Sequence, residues 1–165
     1  MVSPDTFRSV IGRFASGVAI ITAVDEAGLD HGMTATAFCS VSLVPPLVQV
    51  CVDQSTTMHG VLERGSTFVV NLLSSGQEEL SRRFGSGEAR RGGIAEEERF
   101  DGVGYARGVS GAALLNDALA HIECRVFDRH AAGDHTIIVG EVELATAHDC
   151  RPLIYYRGGY TQLDR

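Results

Sequence analysis

The sequence predicts a mainly β fold in which short helices connect the antiparallel strands of one closed or partly closed barrel. About six segments are rich in β-branched and other apolar residues and are separated by turn-forming residues, a pattern typical of hairpin-linked strands. The 19 glycines and the absence of tryptophan agree with many tight turns. A barrel is expected because closure removes exposed strand edges. Residues 1–165, 44% of them hydrophobic, are predicted to form a single domain.

The first predicted element is a helix that ends at Gly17. Ser3 can cap it, and Pro4 and Asp5 favour its first turn. Four apolar residues then follow the i, i+3, i+4, i+7 spacing of a helix face that is buried against the core. These residues are Phe7, Val10, Ile11 and Phe14.

A β-hairpin is predicted next. Residues 18–24 are dense in β-branched side chains, residues 25–28 have turn chemistry, and a second extended run begins near His31. Pro45 and Pro46 end this run because neither has an amide hydrogen.

Two short helices and further strands fill the rest of the chain. The first helix begins at a cap, Ser55 or Thr56, and ends at Gly65, whereas the second covers residues 77–84. Residues 85–99 are rich in Gly, Ser, Arg and Glu and predict a mobile surface loop. The other strands are predicted at residues 47–52, 67–73, 118–128, 136–145 and 152–156, with a turn at 131–133.

Composition excludes several classes of function. The net charge is −7 and the Lys and Arg residues are scattered, so nucleic acid is not an expected partner. We expect neither a membrane span nor a leader segment, because no 18 apolar residues run together and no basic stretch precedes an apolar one near the N-terminus. Four separated cysteines beside apolar runs predict reduced, buried thiols in a cytoplasmic protein. No metal is expected, because His130 and His135 lack a third ligand at a helpful spacing.

Residues 31–43 are the densest candidate for a binding site. They are mostly small or hydroxylated, and only small side chains allow the backbone to approach a planar cofactor such as a flavin. The alternative is an ordinary strand with its Thr and Ser side chains in water. Because alternate residues of a strand share a face, four hydroxyls are predicted to line one groove, those of Thr34, Thr36, Ser40 and Ser42.

Four separated segments carry a resemblance to a known family. They are FRSVIGRFASGVAIIT at residues 7–22, HGMTATAFCSVSLVPPLVQVCVD at 31–53, GDHTIIVGEV at 133–142 and PLIYYRGGY at 152–160. In this order they resemble the flavin reductase-like domain, the reductase component of two-component flavin-dependent monooxygenases. The resemblance covers nearly the whole chain and implies an antiparallel split β-barrel, the FMN-binding split barrel.

The same resemblance implies the flavin-binding residues. It places Thr34, Ala35, Thr36 and Ala37 along the isoalloxazine and ribityl chain, and Ser40, Val41 and Ser42 at the polar edge of the ring. It places Asp53, Ser55, Thr56 and Thr57 at the ribityl and phosphate, and Phe84 and Gly85 against the flavin of the dimer partner. Hydroxyls and free amides at a helix start favour an anion, although the same groups also serve as an ordinary helix cap.

The nicotinamide side is implied in the same way. His135 of the Gly-Asp-His turn faces the nicotinamide side of the flavin and is the predicted catalytic residue. Three C-terminal residues are implied to contact the nicotinamide nucleotide, with aromatic packing of a closing strand as their alternative role. They are Tyr155, Arg157 and Tyr160.

The resemblance therefore implies an NAD(P)H:flavin oxidoreductase. FMN or FAD is its flavin, NADH or NADPH its hydride donor, and a monooxygenase receives the reduced flavin by diffusion. A homodimer is expected because the family places each flavin between subunits and because a barrel of this size lacks the surface to enclose a flavin alone. Two alternatives remain open, a non-catalytic flavin- or haem-binding split barrel and a pyridoxine-phosphate-oxidase-like oxidase.

Overall fold

A computed structural model describes residues 2–85, 95 and 98–163 of the chain. The predicted loop at 85–99 lies largely outside the described residues. The helices are α1 (Pro4–Ile11), α2 (Thr57–Arg64) and α3 (Glu78–Arg83). The strands are β1 (Ser16–Gly17), β2 (Ala19–Val24), β3 (Asp30–Ala35), β4 (Phe38–Leu43), β5 (Pro46–Asp53), β6 (Thr67–Leu72), β7 (Tyr105–Arg107), β8 (Ala113–Leu115), β9 (Ala120–Ala132), β10 (His135–Ala147), β11 (Ile154–Tyr156) and β12 (Gly159–Thr161).

The predicted antiparallel split barrel is confirmed. Seven strands form one antiparallel sheet in the order β3-β2-β6-β9-β10-β5-β4. Strands β3 and β4 are the two outer strands of this order, yet only Thr36 and Ala37 connect them. The curled sheet therefore brings its own edges together, which is the geometry of a split barrel.

Two hydrophobic clusters hold the sheet, one on each face. The inner cluster fills the barrel with side chains such as Ile21, Val50 and Phe68 and is covered at one end by α2. The outer cluster lies on the other face of β2 and β6, where Ile20 and Leu73 pack against β8 and Phe84. Strands β2 and β6 are thus buried on both faces, which explains why five of the six residues of β2 are buried.

The short helices follow local sequence signals. Thr56 caps α2 by accepting the amide hydrogen of His59, and Gly65 follows its last residue, as predicted. Helix α1 ends before Gly12 and not at Gly17. The predicted apolar stripe is not buried in the chain, contrary to prediction, since the exposed fractions are 59% for Phe7, 60% for Val10 and 54% for Ile11 on the helix and 78% for Phe14 just beyond it.

The prediction of buried cysteines is correct only for Cys124. Cys39 and Cys150 are exposed and Cys51 is half-buried. In the described parts of the chain no helix reaches the length and apolar character needed to cross a membrane. Within the same residues, no three His, Cys, Asp or Glu side chains form a group able to ligate a metal ion.

Candidate functional site

The predicted binding segment is two strands and not one. The chain leaves the sheet after β3 and re-enters it at β4, so the exposed residues Thr36 and Ala37 form the bend between the barrel edges. The carbonyl of Ala37 accepts the amide hydrogen of Cys51 at 3.0 Å, which fixes the bend beside the last residues of β5. The bend thus presents small side chains and backbone beside the end of β5.

The predicted row of four hydroxyls is wrong. Thr34 belongs to β3, and its hydroxyl donates to the carbonyl of Ser81 at 2.6 Å. On β4, Ser40 lies opposite Val48, whereas a bulge at Val41 shifts Ser42 opposite Leu47. A bulge adds one residue to a strand and breaks the alternation of faces, so the four side chains cannot share one groove. Ser40 and Val41 are nevertheless exposed along this edge.

The loop after β5 is shaped by its own side chains. The Asp53 carboxylate accepts the amide and the hydroxyl of Ser55 at 2.8 and 2.7 Å. The Thr56 hydroxyl donates to the carbonyl of Asp53 at 2.7 Å and caps α2. The amides of Ser55, Thr56 and His59 therefore have acceptors within the loop, so the prediction of free amides holds at most in part. The hydroxyls of Ser55 and Thr57 lie on exposed residues at the positive end of the helix dipole.

His135 lies beside this loop. It is the first residue of β10 and pairs with Asp53, the last residue of β5. Its Nδ1 contacts the carboxylate of Asp134 at 2.7 Å, so this neighbour fixes the ring orientation and leaves Nε2 for another partner. The His135 side chain is 42% exposed, which makes it accessible to a ligand on the surface.

Helix α3 connects Thr34 to the C-terminal strands. Ser81 accepts the Thr34 hydroxyl through its carbonyl, while its own hydroxyl contacts the hydroxyl of Tyr160 at 2.8 Å. The guanidinium of Arg82 lies 4.8 Å from the centre of the Tyr160 ring. This arrangement holds the aromatic ring at the surface of α3 and gives it a cationic neighbour.

The flavin contact predicted for Phe84 is wrong for its side chain. Phe84 is fully buried in the outer cluster, and its ring packs edge-on against Phe100 with a centroid distance of 4.9 Å. A Cβ added at Gly32 would lie 2.3 Å from the Phe84 ring, so the ring fills the space that this glycine leaves. Phe84 is a core residue, and only its half-buried neighbour Gly85 reaches the surface.

The C-terminal residues form a small sheet of β1, β11 and β12 outside the barrel. Tyr155 and Tyr160 are half-buried and contact each other edge-on with a centroid distance of 5.3 Å. Arg157 is exposed at the turn between the strands, and its amide donates to the carbonyl of Gly12 at 2.7 Å. Tyr155 and Tyr160 thus pack against each other, which is the alternative role given to them above. Of the three residues predicted to contact the nucleotide, Arg157 is the exposed one.

Two cysteines of the seven-stranded sheet have thiols with raised pKa values. Burial, and to a smaller extent the nearby Cys39, raises the pKa of the Cys51 thiol. Burial raises the pKa of Cys124 to about 12, with smaller contributions from Glu143 and Glu123. A buried thiol with a raised pKa is a poor nucleophile, so these two cysteines are not candidates for covalent chemistry.

Two surface cavities of the described residues lie away from the predicted site. One of about 480 Å³ is lined by residues 24–27 and 61, 64–67, and another of about 410 Å³ lies between α3 and residues 102–104. None of the predicted site residues lines either cavity. A flavin-sized ligand needs a concave site of several hundred Å³. Of the predicted flavin residues, Thr36, Ala37, Ser40 and Ser55 are exposed, whereas Ala35 is only 8% exposed and packs in the inner cluster.

Sequence reasoning missed residues that connect the two loops at this end of the sheet. Gln54 donates through its side chain to the carbonyl of His135 at 3.1 Å, and His59 contacts the Thr136 hydroxyl at 2.9 Å. Of the two, only Gln54 could have been noticed in the sequence, because it lies between the predicted flavin-binding residues Asp53 and Ser55. His59 gave none, because its partner is 77 residues away in the chain.

Comparison with known proteins gives one consistent result. Residues 11–164 match the family described as the flavin reductase like domain. A protein named NADH-dependent flavin reductase from a Rhodococcus species is 40% identical over 165 residues, which cover 99% of this chain and 88% of that protein. The reductase subunit of a flavin-dependent monooxygenase from Rhodococcus jostii is 35% identical over 99% of this chain and 80% of its own length.

Solved structures agree with this result. An NADH:FAD oxidoreductase from Streptomyces globisporus, determined in complex with NAD and FAD fragments, superimposes with a TM-score of 0.88 at 36% identity. The match covers 99% of this chain and 96% of that one. The flavin reductase component of a bacterial two-component tryptophan halogenase gives a TM-score of 0.87 at 37% identity, over 99% of this chain and 100% of that one.

Proposed function

Because the chain belongs to the flavin reductase like domain family, we propose that it is an NAD(P)H-dependent flavin reductase. In this proposal it reduces FMN or FAD by hydride transfer and releases the reduced flavin to a partner monooxygenase. Relatives named as reductases, and as the reductase subunit of a monooxygenase, support both halves of the proposal. A cytoplasmic location belongs to the proposal and is supported by the exposed free thiols of Cys39 and Cys150.

The observation that carries the proposal is the pairing of His135 with Asp53. It places the residue proposed for the nicotinamide side next to the loop proposed for the flavin ribityl and phosphate. The bend at Thr36 and Ala37 lies beside the same strand end, through the hydrogen bond between Cys51 and Ala37. Three segments that are distant in sequence thus form one surface at the mouth of the split barrel.

The residues at this surface suit a flavin. The bend offers backbone groups without bulky side chains, and the first turn of α2 carries no acidic side chain that would repel a phosphate. The Asp53 carboxylate is already engaged by Ser55. We assign the bend and the exposed edge of β4 to the ring, and the exposed start of α2 at Ser55 and Thr57 to the phosphate side.

The bound flavin supplies the redox chemistry by accepting a hydride from the reduced nicotinamide. The protein needs no base for this step, so its work is to stack the two rings and to stabilise the negative charge on the reduced flavin. His135 is the residue that we assign to charge stabilisation on the nicotinamide side. Arg157 and the surface of Tyr160 are assigned to the nucleotide that brings the hydride.

A homodimer completes the proposed site. Thr36, Ser40 and Ser55, three of the predicted flavin residues, are exposed on the single chain, so a second chain is needed to enclose the ligand. The apolar stripe of α1 provides a surface for that contact, since Phe7, Val10, Ile11 and Phe14 are more than half exposed. Exposed apolar patches of this kind mark interaction sites. The helix lies next to the nucleotide-side residue Arg157, whose amide binds Gly12.

Light scattering is expected to give twice the 17.6 kDa mass of one chain. Val10→Glu is expected to shift the protein toward the monomer, because it places a charge in the apolar contact. Leu29→Glu is the matched control, since Leu29 is as exposed as Val10, 62% against 60%, but lies in the β2–β3 turn. A wild-type protein that is monomeric at micromolar concentration contradicts the dimer.

The direct test of function is a spectrophotometric matrix of NADH or NADPH against FMN, FAD and riboflavin. We expect flavin-dependent oxidation of the nicotinamide and loss of flavin absorbance under anaerobic conditions. Because the reduced flavin must leave, the oxidised flavin is expected to bind with micromolar affinity, about −8 kcal/mol. No nicotinamide oxidation with any flavin, or a flavin that survives extensive dialysis, refutes the carrier function.

Alkylation of cysteines tests the location of the flavin without measuring activity. At pH 8, iodoacetamide is expected to modify the exposed Cys39 and Cys150 first, Cys51 more slowly, and Cys124 only after denaturation, because its pKa is about 12. Saturating FMN is expected to slow the alkylation of Cys39 on β4 and to leave Cys150 unchanged. Peptide mass spectrometry gives each rate, and equal rates for Cys39 with and without flavin contradict the assignment of β4.

A further inference from the structure

The turn that carries His135 has little packing to hold it. Residues 131–134 are exposed, and Gly133 adopts a positive φ of 66° at the tip of the hairpin. The strand ladder between β5 and β10 ends at the pair Asp53 and His135. Beyond this pair, no strand pairing joins the loop at 53–57 to the tip of the β9–β10 hairpin. The position of the loop relative to the hairpin tip therefore depends on other contacts.

Gln54 supplies two of these contacts. Its amide donates to the carbonyl of Asp134 at 3.0 Å, and its side-chain Nε2 donates to the carbonyl of His135 at 3.1 Å. Gln54 belongs to the loop at 53–57, which is proposed for the flavin (the flavin-side loop). It thus donates hydrogen bonds to two consecutive carbonyls of the turn proposed for the nicotinamide side, those of Asp134 and His135. Because Gln54 is exposed, the side-chain bond adds little to the packing of the barrel.

His59 supplies the second connection, on the inner face of the sheet. Its Nε2 contacts the Thr136 hydroxyl at 2.9 Å, and Thr136 is only 5% exposed. His59 lies in the first turn of α2, so the bond joins the start of this helix to the second residue of β10. The helix start and the strand start therefore cannot move apart without breaking this partly buried hydrogen bond, which is costly.

We propose that Gln54 and His59 are positioning residues that fix the flavin-side loop and the His135 turn as one rigid unit. Neither contacts the reacting atoms. They act through the residues beside them, and they set the distance between the bound flavin and the hydride donor. This inference rests on the proposed function. It also implies that loosening either connection slows hydride transfer more than it weakens the fold, because the rate of such a step falls steeply with small misplacement.

Gln54→Ala tests the first connection, with Gln77→Ala as the matched control. Gln77 also donates through its side chain to a backbone carbonyl, that of Asn116 at 2.8 Å, and the partners of its side chain, Asn116 and Ser74, are not residues assigned to the flavin or the nucleotide. Anaerobic single-turnover reduction of FMN at saturating NADH is expected to be about tenfold slower in Gln54→Ala and within about twofold of wild type in Gln77→Ala. Thermal midpoints of the two variants are expected to be similar. Equal reduction rates in both variants overturn the role of Gln54.

His59→Phe and His59→Gln test the second connection. Glutamine retains a side-chain donor and acceptor, so it is expected to restore most of the rate that phenylalanine loses, whereas a role in packing alone favours phenylalanine. A glutamine variant that is as slow as the phenylalanine variant overturns the role of His59. If the phenylalanine variant does not fold, the Gln54 pair still decides the proposal.

The proposed function and the positioning role fail in distinguishable ways. If the wild-type protein reduces no flavin, the function is refuted, and the positioning role is then read from the dissociation constant of FMN. That constant is expected to rise about three- to tenfold in Gln54→Ala, the equivalent of one hydrogen bond. Normal wild-type activity together with a Gln54→Ala variant that matches Gln77→Ala in reduction rate refutes the positioning role alone.

Discussion

Asn71→Ala is expected to lower the free energy of unfolding by about 3 kcal/mol. Asn71 is completely buried, and its side-chain amide donates to the carbonyl of Ile20 and the hydroxyl of Thr22 at 3.0 and 3.1 Å. Its carbonyl oxygen accepts the amide hydrogen of Leu115 at 2.8 Å. The alanine variant leaves this buried amide of β8 without an acceptor, which alone costs about 1–3 kcal/mol.

Chemical denaturation at fixed protein concentration measures this loss, which corresponds to a fall in Tm of about 6–12 °C for a domain of this size. Asn71→Leu keeps the volume and is expected to lose nearly as much stability, because the hydrogen bonds and not the packing are removed. The matched control is Asn116→Ala, since Asn116 is exposed and its loss is expected to cost less than about 0.5 kcal/mol. A stable Asn71→Leu variant contradicts the argument.

The elements that were predicted well are those determined by neighbouring residues. The caps of α2 at Thr56 and Gly65 are local signals, and the end of the β-run before Pro45 and Pro46 follows from the missing amide hydrogens. The break between β3 and β4 was missed because Thr36 and Ala37 are not turn-forming residues. It is the closure of the barrel that bends the chain there.

Burial was harder to predict than secondary structure. The spacing of Phe7, Val10 and Ile11 correctly indicates an apolar helix face, although Phe14 lies beyond the end of α1, but it does not say whether that face packs on its own chain or on another one. For Phe84 the error is the opposite one, because a residue predicted to be at the surface is buried. The resemblance assigned it to the flavin, but its ring fills the space that Gly32 leaves in the core. Both outcomes depend on contacts between distant segments, which a single sequence does not display.

In the candidate site too, residues that follow a local motif were predicted, whereas residues that depend on distant contacts were not. Asp53, Ser55 and His135 were predicted from motifs, and the structure places all three at one end of the sheet. Gln54 and His59 carry no motif, because their roles arise from partners about 80 residues away. Residues that bind a ligand repeat a recognisable pattern, whereas residues that orient the binding groups are found only when the fold is known.

His135→Ala is expected to lower kcat/KM for NADH by about ten- to a hundredfold and to change the dissociation constant of FMN by less than about threefold. The reason is that the imidazole is assigned to the charge that develops during hydride transfer and not to binding the oxidised flavin. Steady-state oxidation of NADH at saturating flavin, together with a flavin titration, measures both quantities. His130→Ala is the matched control, because His130 is an exposed histidine of the same hairpin that is paired with Asp128 at 3.2 Å.

This variant also separates the two roles assigned to the His135 turn. Alanine removes the imidazole but keeps the backbone carbonyl that Gln54 binds, so the connection between the loops remains. A loss of rate in His135→Ala therefore reports the side chain, whereas a loss in Gln54→Ala reports the position of the turn. If Gln54 acts by positioning the His135 imidazole, Gln54→Ala is expected to add little to the loss in a His135→Ala background, because the two residues act as one unit. If the two residues contribute independently to the barrier, the two losses multiply. Equal rates in His135→Ala and His130→Ala remove His135 from the chemistry.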